Sequence, residues 1–287
     1  MKSSVVLFSL VILFISGAMM SSSTVAVAQD LSDEESVLFG EIPSVYTASK
    51  REQVVTEAPS SVSIITADEI QKYGYQTLAE ILASVRSMFT TNDRNYQYLG
   101  VRGFAQPGDY NTRILVMIDG IRINDAVYDT GAIGMDFPVD VDLIDRIEIV
   151  RGPSSSLYGT NAFFGVVNII TKRGRDLQGA ELTGSAGSLE AYKGRLSLGK
   201  KFSNGFEAMV SGTYFDSKGH EELYYKEYDD PETNNGIARN CDAEDHSSFF
   251  GKLSYRDFTL QGAWNSRTKV VPTGAYEVIF NDPGTYT

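Results

Sequence analysis

A chain of 287 residues with 42% hydrophobic and 22% charged residues can bury a sizeable core. Its 25 Lys and Arg stand against 37 Asp and Glu, and the formal net charge of −12 excludes a nucleic-acid-binding module, which needs a basic footprint. The single cysteine, Cys241, excludes an internal disulfide framework and any Cys-x-x-Cys metal site, and two histidines, His220 and His246, leave little for a His-rich catalytic metal centre.

In chain order, Lys2 precedes an apolar run from Val5 to Met20, then Ser21-Ser22-Ser23-Thr24 and the small-x-small site Ala26-Val27-Ala28. That layout predicts a secretory signal peptide over 1–28, because the apolar core is shorter than the roughly 20 residues of a membrane span. No later stretch reads as a spanning helix, so an exported chain of this kind enters a membrane only as strands. Residues 29–57 form an acid-rich, flexible leader carrying Asp30, Asp33, Glu34, Glu35 and Glu41. Within it Ile42 to Ser49 is a brief β-prone patch, either plain linker or an extended peptide that adds to a partner's sheet edge.

Residues 58–175 read as a small α+β domain. Val62 to Ile65 is a predicted strand. Thr66 and Glu69 then form a capping box, and Ile70, Leu78, Ile81 and Leu82 space a helix that breaks at Gly74 and resumes after Thr77. Leu99–Phe104, Ile114–Ile118, Ile147–Val150 and Gly165–Thr171 are further strands; Asp119-Gly120 is a turn signal, and Asp142–Asp145 starts a helical turn.

From 176 onward the pattern has period two: Tyr192 to Leu198, Phe206 to Tyr214, Phe249 to Tyr255 and Phe258 to Trp264 alternate apolar with polar residues, and Ser203-Asn204-Gly205 and Arg256-Asp257 supply tight turns. Such strands fit a lipid-facing barrel or a soluble β-sandwich. Between the hairpins lies an acidic stretch from Asp216 to Asp245, in which Asp229, Asp230, Asp242 and Asp245 are candidate oxygen ligands for a structural Ca²⁺. No other metal or cofactor is expected. No G-x-S-x-G, H-E-x-x-H or P-loop occurs, so no enzyme is predicted.

The run Asp145 to Lys172 (DRIEIVRGPSSSLYGTNAFFGVVNIITK) resembles the plug domain of TonB-dependent outer-membrane receptors, as do Leu99 to Phe104, Val116 to Asn124 and Pro59 to Thr66. The resemblance implies an α+β plug followed by antiparallel transmembrane strands of an incomplete 22-stranded barrel, of which about five strands are present. The chain would then be the N-terminal part of a Gram-negative outer-membrane receptor taking up a scarce nutrient chelate of the iron–siderophore, haem or cobalamin type. Its partners would be that metal chelate, outer-membrane lipid and a periplasmic TonB-type energy-transducing protein. Ile42, Pro43, Ser44, Val45, Tyr46, Thr47 and Ala48 sit where the family keeps its TonB box. Arg102, Gly103, Asp119, Gly120, Arg151, Gly152, Pro153, Tyr158 and Gly159 fall on the plug motifs, the two arginines on positions that pair with barrel glutamates. Arg94, Tyr96, Tyr98 and Tyr128 fall on loops resembling apical substrate loops and suit an anionic or aromatic chelate. The rival reading is an exported structural or adhesive β-protein without transport activity.

Overall fold

Strands whose residues are apolar on both sides need cover on both faces, and the centre of this protein is built around three of them. In the computed structural model, which describes residues 44–51, 53, 54, 56, 58, 60–106 and 108–287, they form one sheet with two short edge elements. The predicted signal peptide, Ile42 and Pro43 lie outside the described residues. The sheet runs in the order β3 (Ser61–Thr66), β8 (Ile144–Arg151), β9 (Gly165–Thr171), β6 (Ile114–Ile118), β7 (Ile121–Arg122). β6 and β9 are parallel; the other neighbours are antiparallel.

Both predicted helices form. Thr66 and Glu69 close the capping box of α1 (Ala67–Tyr73), which ends on Gly74 in the left-handed region at φ 69°. Thr77 caps α2 (Leu78–Ala83) by accepting from the Glu80 N–H. Ile70, Leu78, Ile81 and Leu82 pack on one face of the sheet against Ile114, Val116, Ile147, Ile149, Val167 and Ile169. The Asp119-Gly120 turn has φ values of 50° and 81°, positive at both centres as a two-residue hairpin requires. A second sheet pairs β4 (Met88–Asn92) with β5 (Gln97–Val101), and β1 (Ser44–Val45) pairs with β2 (Gln53–Val54).

The period-two region forms a five-stranded antiparallel wall: β10 (Gly179–Gly187), β11 (Ala191–Lys201), β12 (Glu207–Ser217), β15 (Glu244–Tyr255) and β16 (Phe258–Lys269). Its outer face shows Leu182, Leu196, Leu198, Tyr214, Phe249, Leu260 and Trp264 to solvent, whereas Arg195, Ser197, Glu207, Ser211, Thr213, Ser248 and Lys269 are buried. A soluble sandwich hides its apolar face and wets its polar one. Here the polarity is inverted, as a wall between lipid and a polar interior requires. No helix among the described residues is long and apolar enough to cross a membrane. The wall is not closed into a barrel, so the 22-stranded expectation is met only in its strand type.

Polar bridges join plug to wall. Lys193 Nζ meets Asp140 at 2.9 Å, Lys252 Nζ meets Asp119 at 2.9 Å and Thr171 Oγ1 at 3.0 Å, and Asn265 Nδ2 donates to the Met135 carbonyl at 3.0 Å. The acidic stretch is more ordered than a solvated loop: β13 (Glu222–Tyr224) pairs with β14 (Ile237–Arg239) within it.

Candidate functional site

On the face of the plug sheet opposite the helices, Glu148 on β8 and Asn168 on β9 are direct register partners, with Arg146 beside Glu148. Glu148 has no exposed surface. A buried carboxylate is stable only with donors around it, and the β-prone patch supplies them. Glu148 Oε2 accepts the Tyr46 N–H (3.2 Å), the Thr47 N–H (3.0 Å) and the Thr47 hydroxyl (2.6 Å), while Arg146 Nη2 holds Oε1 at 3.1 Å. Asn168 Nδ2 donates to Thr47 Oγ1 at 3.0 Å. Val45 and Ala48 pack beside Leu115, Met117, Val150 and Val166. The described part of the leader, expected to be free, is therefore folded onto the plug: Val45 and Ala48 bury their apolar side chains on it, and the Tyr46 and Thr47 backbone donors meet a carboxylate already buried there.

Tyr158, a plug-motif residue on the short helix α3 (Ser155–Tyr158), donates its hydroxyl to the Thr47 carbonyl at 2.8 Å. Burial first, then Tyr46 and Glu148, push its phenol up from 10.0 to about 12. The neutral, donating form is favoured in the folded state, so this contribution is complete below pH 10 and is lost as pH rises towards about 12. A spin label at the exposed position 51 should accordingly gain mobility over that interval, and Tyr158→Phe should be mobile beforehand and lose the pH step. Identical titrations of the two proteins would refute the assignment.

Arg102 and Arg151 meet at the other end of β8. Arg102 Nη2 donates to the Arg151 carbonyl (2.9 Å), and Arg151 donates to the Arg86 carbonyl (2.7 Å) and to Ser63 Oγ (3.0 Å). Burial, then Arg102 and Arg86, lower the Arg151 pKa, and no carboxylate among the described residues pairs with any of the three. Gly103 sits at φ 84° in the turn behind Arg102; Gly152 lies against the Arg102 guanidinium, and Gly159 ends α3. Of Pro153 the structure shows only that it lies in the exposed link between β8 and α3.

At the opposite end of the wall, the predicted ligand residues separate. Tyr96 and Tyr128 share a cleft of about 490 Å³ with Tyr110, Asn111, Asp125 and Asp136. Tyr98 is buried, its hydroxyl donating to Asp93 at 2.6 Å, and lies outside that cleft. Arg94 lies in a neighbouring cleft, 3.9 Å from Asp242. The proposed Ca²⁺ ligands do not converge either, and no metal-holding group of His, Cys, Asp or Glu occurs among the described residues. Asp242 is paired with Lys269 at 2.7 Å, Asp230 accepts the Glu232 N–H, Asp229 accepts the Tyr224 hydroxyl, and Asp245 faces Asp216 across the β12–β15 ladder.

The two regions lie at opposite ends of the wall. Tyr46 borders a cleft with Glu207, Lys252 and Arg256, beside the β11–β12 and β15–β16 turns, whereas Arg94 borders one with His220 and Asp242, in the long connection between β12 and β15. Residues 54–166 match the TonB-dependent Receptor Plug Domain family. This segment is a TonB-dependent receptor plug domain. It is 28% identical over 192 residues to the vitamin B12 transporter BtuB of Vibrio vulnificus, covering 66% of this chain and 29% of that protein. It is 35% identical over 149 residues to BtuB of Vibrio cholerae, covering 51% of this chain and 23% of the relative. It thus spans less than a third of these relatives' length. The fold is similar to the ferripyoverdine receptor of the outer membrane of Pseudomonas aeruginosa, with TM-score 0.56 at 15% identity, over 79% of this chain and 27% of that one. These relatives are transporters and receptors, not enzymes. Glu148 and Asn168, which hold the patch on this plug, were not singled out in the sequence; their signal was a carboxylate within the run Ile147–Val150 and an amide within Val166–Ile170.

Proposed function

We propose that this chain is the plug and first barrel strands of an outer-membrane receptor that imports a metal chelate of the siderophore or corrinoid type. In this reading the patch at Ser44–Ala48 is the docking peptide for a periplasmic energy-transducing protein. The observation that carries it is the placement of a ligand-sized cleft and a β-prone, polar-anchored peptide at opposite ends of one polar-inside wall. Wall strands beyond these five would complete the barrel, and carboxylates on them would compensate Arg102 and Arg151, which find only two carbonyls and a hydroxyl here. Partner docking by strand addition needs the backbone N–H of Tyr46 or of Thr47, whichever faces the partner, and Glu148 occupies both, so docking requires the patch to lift from the plug.

Val45→Pro in the receptor carrying this chain removes a backbone donor and should abolish uptake of radiolabelled chelate, offered as cyanocobalamin and as ferric siderophores, while leaving surface binding intact. Dissipating the inner-membrane proton gradient should do the same to the unaltered receptor. Uptake that survives both treatments would refute energised import.

A further inference from the structure

The cleft walled by Tyr96, Tyr110 and Tyr128 has a charge of its own. Tyr96 and Tyr110 meet edge to face with ring centroids 5.4 Å apart, and Tyr128 is exposed on the facing loop. Two carboxylates line it and no lysine or arginine does. Asp125 is held ionised below its ordinary range by the backbone N–H groups of Tyr128 and Val127. Asp136 lies deeper: its Oδ1 accepts the Gly134 N–H at 2.9 Å, and no residue among those described bonds its Oδ2. The cations nearby are committed elsewhere. Arg94 faces Asp242, and Arg267 bonds Glu244 at 2.6 Å and the Asn95 carbonyl at 2.7 Å; it also reaches the Tyr96 ring and offsets part of the rise that burial imposes on the Asp136 pKa.

Aromatic faces attract cations and flat apolar surfaces, and unpartnered carboxylate oxygens accept N–H donors while repelling anions. We infer that this cleft selects a cationic or uncharged chelate with a flat apolar face and N–H donors at its rim, and rejects polyanionic chelates. The inference rests on the uptake reading above and narrows its substrate, with Asp125 setting the charge preference, Asp136 adding a carboxyl acceptor deeper in the cleft, and Tyr96 and Tyr128 supplying the stacking surface. The sequence pointed to an anionic or aromatic chelate by counting Arg94 into the same site; with Arg94 in the neighbouring cleft, only the aromatic part of that expectation is kept.

Two planar probes of matched shape and opposite charge, N-methylacridinium and anthracene-9-carboxylate, test this by equilibrium binding to the purified receptor carrying this chain. The cation should bind at least about tenfold more tightly than the anion, the ratio that one favourable cation–π contact of about 1.4 kcal/mol gives. Asp125→Asn with Asp136→Asn, which keeps an oxygen for each backbone N–H, should bring the ratio close to one at unchanged thermal stability. Tyr96→Leu should weaken both probes. Equal affinities in the unaltered receptor, no binding of either probe, or a preference indifferent to the double change would each overturn the inference. A receptor that imports a chelate yet ignores both probes keeps the transport reading and loses this one; charge-selective probe binding without import of any chelate does the reverse.

Discussion

Changing Glu148 to alanine is expected to release the Ser44–Ala48 patch from the plug. The substitution strips the acceptor from the Tyr46 and Thr47 N–H groups and from the Thr47 hydroxyl at once. A buried donor left without a partner costs about 1–3 kcal/mol, and Thr47 is fully buried. The patch can escape that cost by opening to water, so the loss appears as opening rather than as unfolding of the sheet. About 3 kcal/mol corresponds to roughly a hundredfold shift in the closed-to-open ratio. Hydrogen exchange at the Thr47 amide in the receptor carrying this chain should accelerate by that order, while the Val167 amide in the central strand β9 keeps its protection. Glu148→Gln, which retains an acceptor oxygen but weakens each bond by removing the charge, should fall between. Unchanged exchange at Thr47 in the alanine variant would show that the apolar contacts of Val45 and Ala48 hold the patch without the carboxylate.

Much of the fold was legible because its signals are local. The capping box at Thr66 and Glu69, the left-handed stop at Gly74 and the hairpin turn at Asp119-Gly120 depend on neighbours within a few residues, and each forms where the sequence places it. The wall was legible from period-two alternation, but alternation cannot say which face is dry. Only the exposure of Leu182, Leu260 and Trp264, with Arg195 and Ser197 buried, separates a lipid-facing wall from a sandwich. What escaped was long-range. β4, whose Met-Phe-Thr-Thr-Asn has weak alternation, forms through pairing with β5. The docking of Thr47 on Glu148 spans about a hundred residues, and no local pattern announces it. Arg94, Tyr96 and Tyr98 are close in sequence, yet a left-handed Arg94 at φ 74° and the strand that follows send them to three surroundings.

The second large effect concerns the hold of the wall on the plug. Lys193 of β11 meets Asp140 at 2.9 Å, and the carboxylate also accepts from Thr213 Oγ1 at 3.0 Å and the Asp142 N–H at 3.0 Å. Burial alone would push the Asp140 pKa up, but Lys193, the Asp142 N–H and Arg195 together hold it below its ordinary value of 3.8. In the native protein this carboxylate therefore adds stability that is complete above pH 3.8 and fades as pH falls through the depressed value. Lys193→Met keeps the side-chain length and removes the charge, leaving a buried carboxylate without its cation. Breaking a buried pair from one side costs about 3–5 kcal/mol. With burial then less opposed, the Asp140 pKa rises, and the sign of the linkage reverses: the variant should lose stability as pH climbs through the new value. Thermal denaturation of the detergent-solubilised receptor carrying this chain should show the variant well below the native protein at neutral pH. The gap should narrow in mild acid, where Asp140 of the variant takes up its proton. Lys193→Met with Asp140→Asn, which removes both charges, should recover most of the loss. A single variant as stable as the native protein at neutral pH, or a gap that widens on acidification, would mean that the hydrogen bonds from Thr213 and Asp142 suffice to hold the carboxylate and that the lysine is not the clamp.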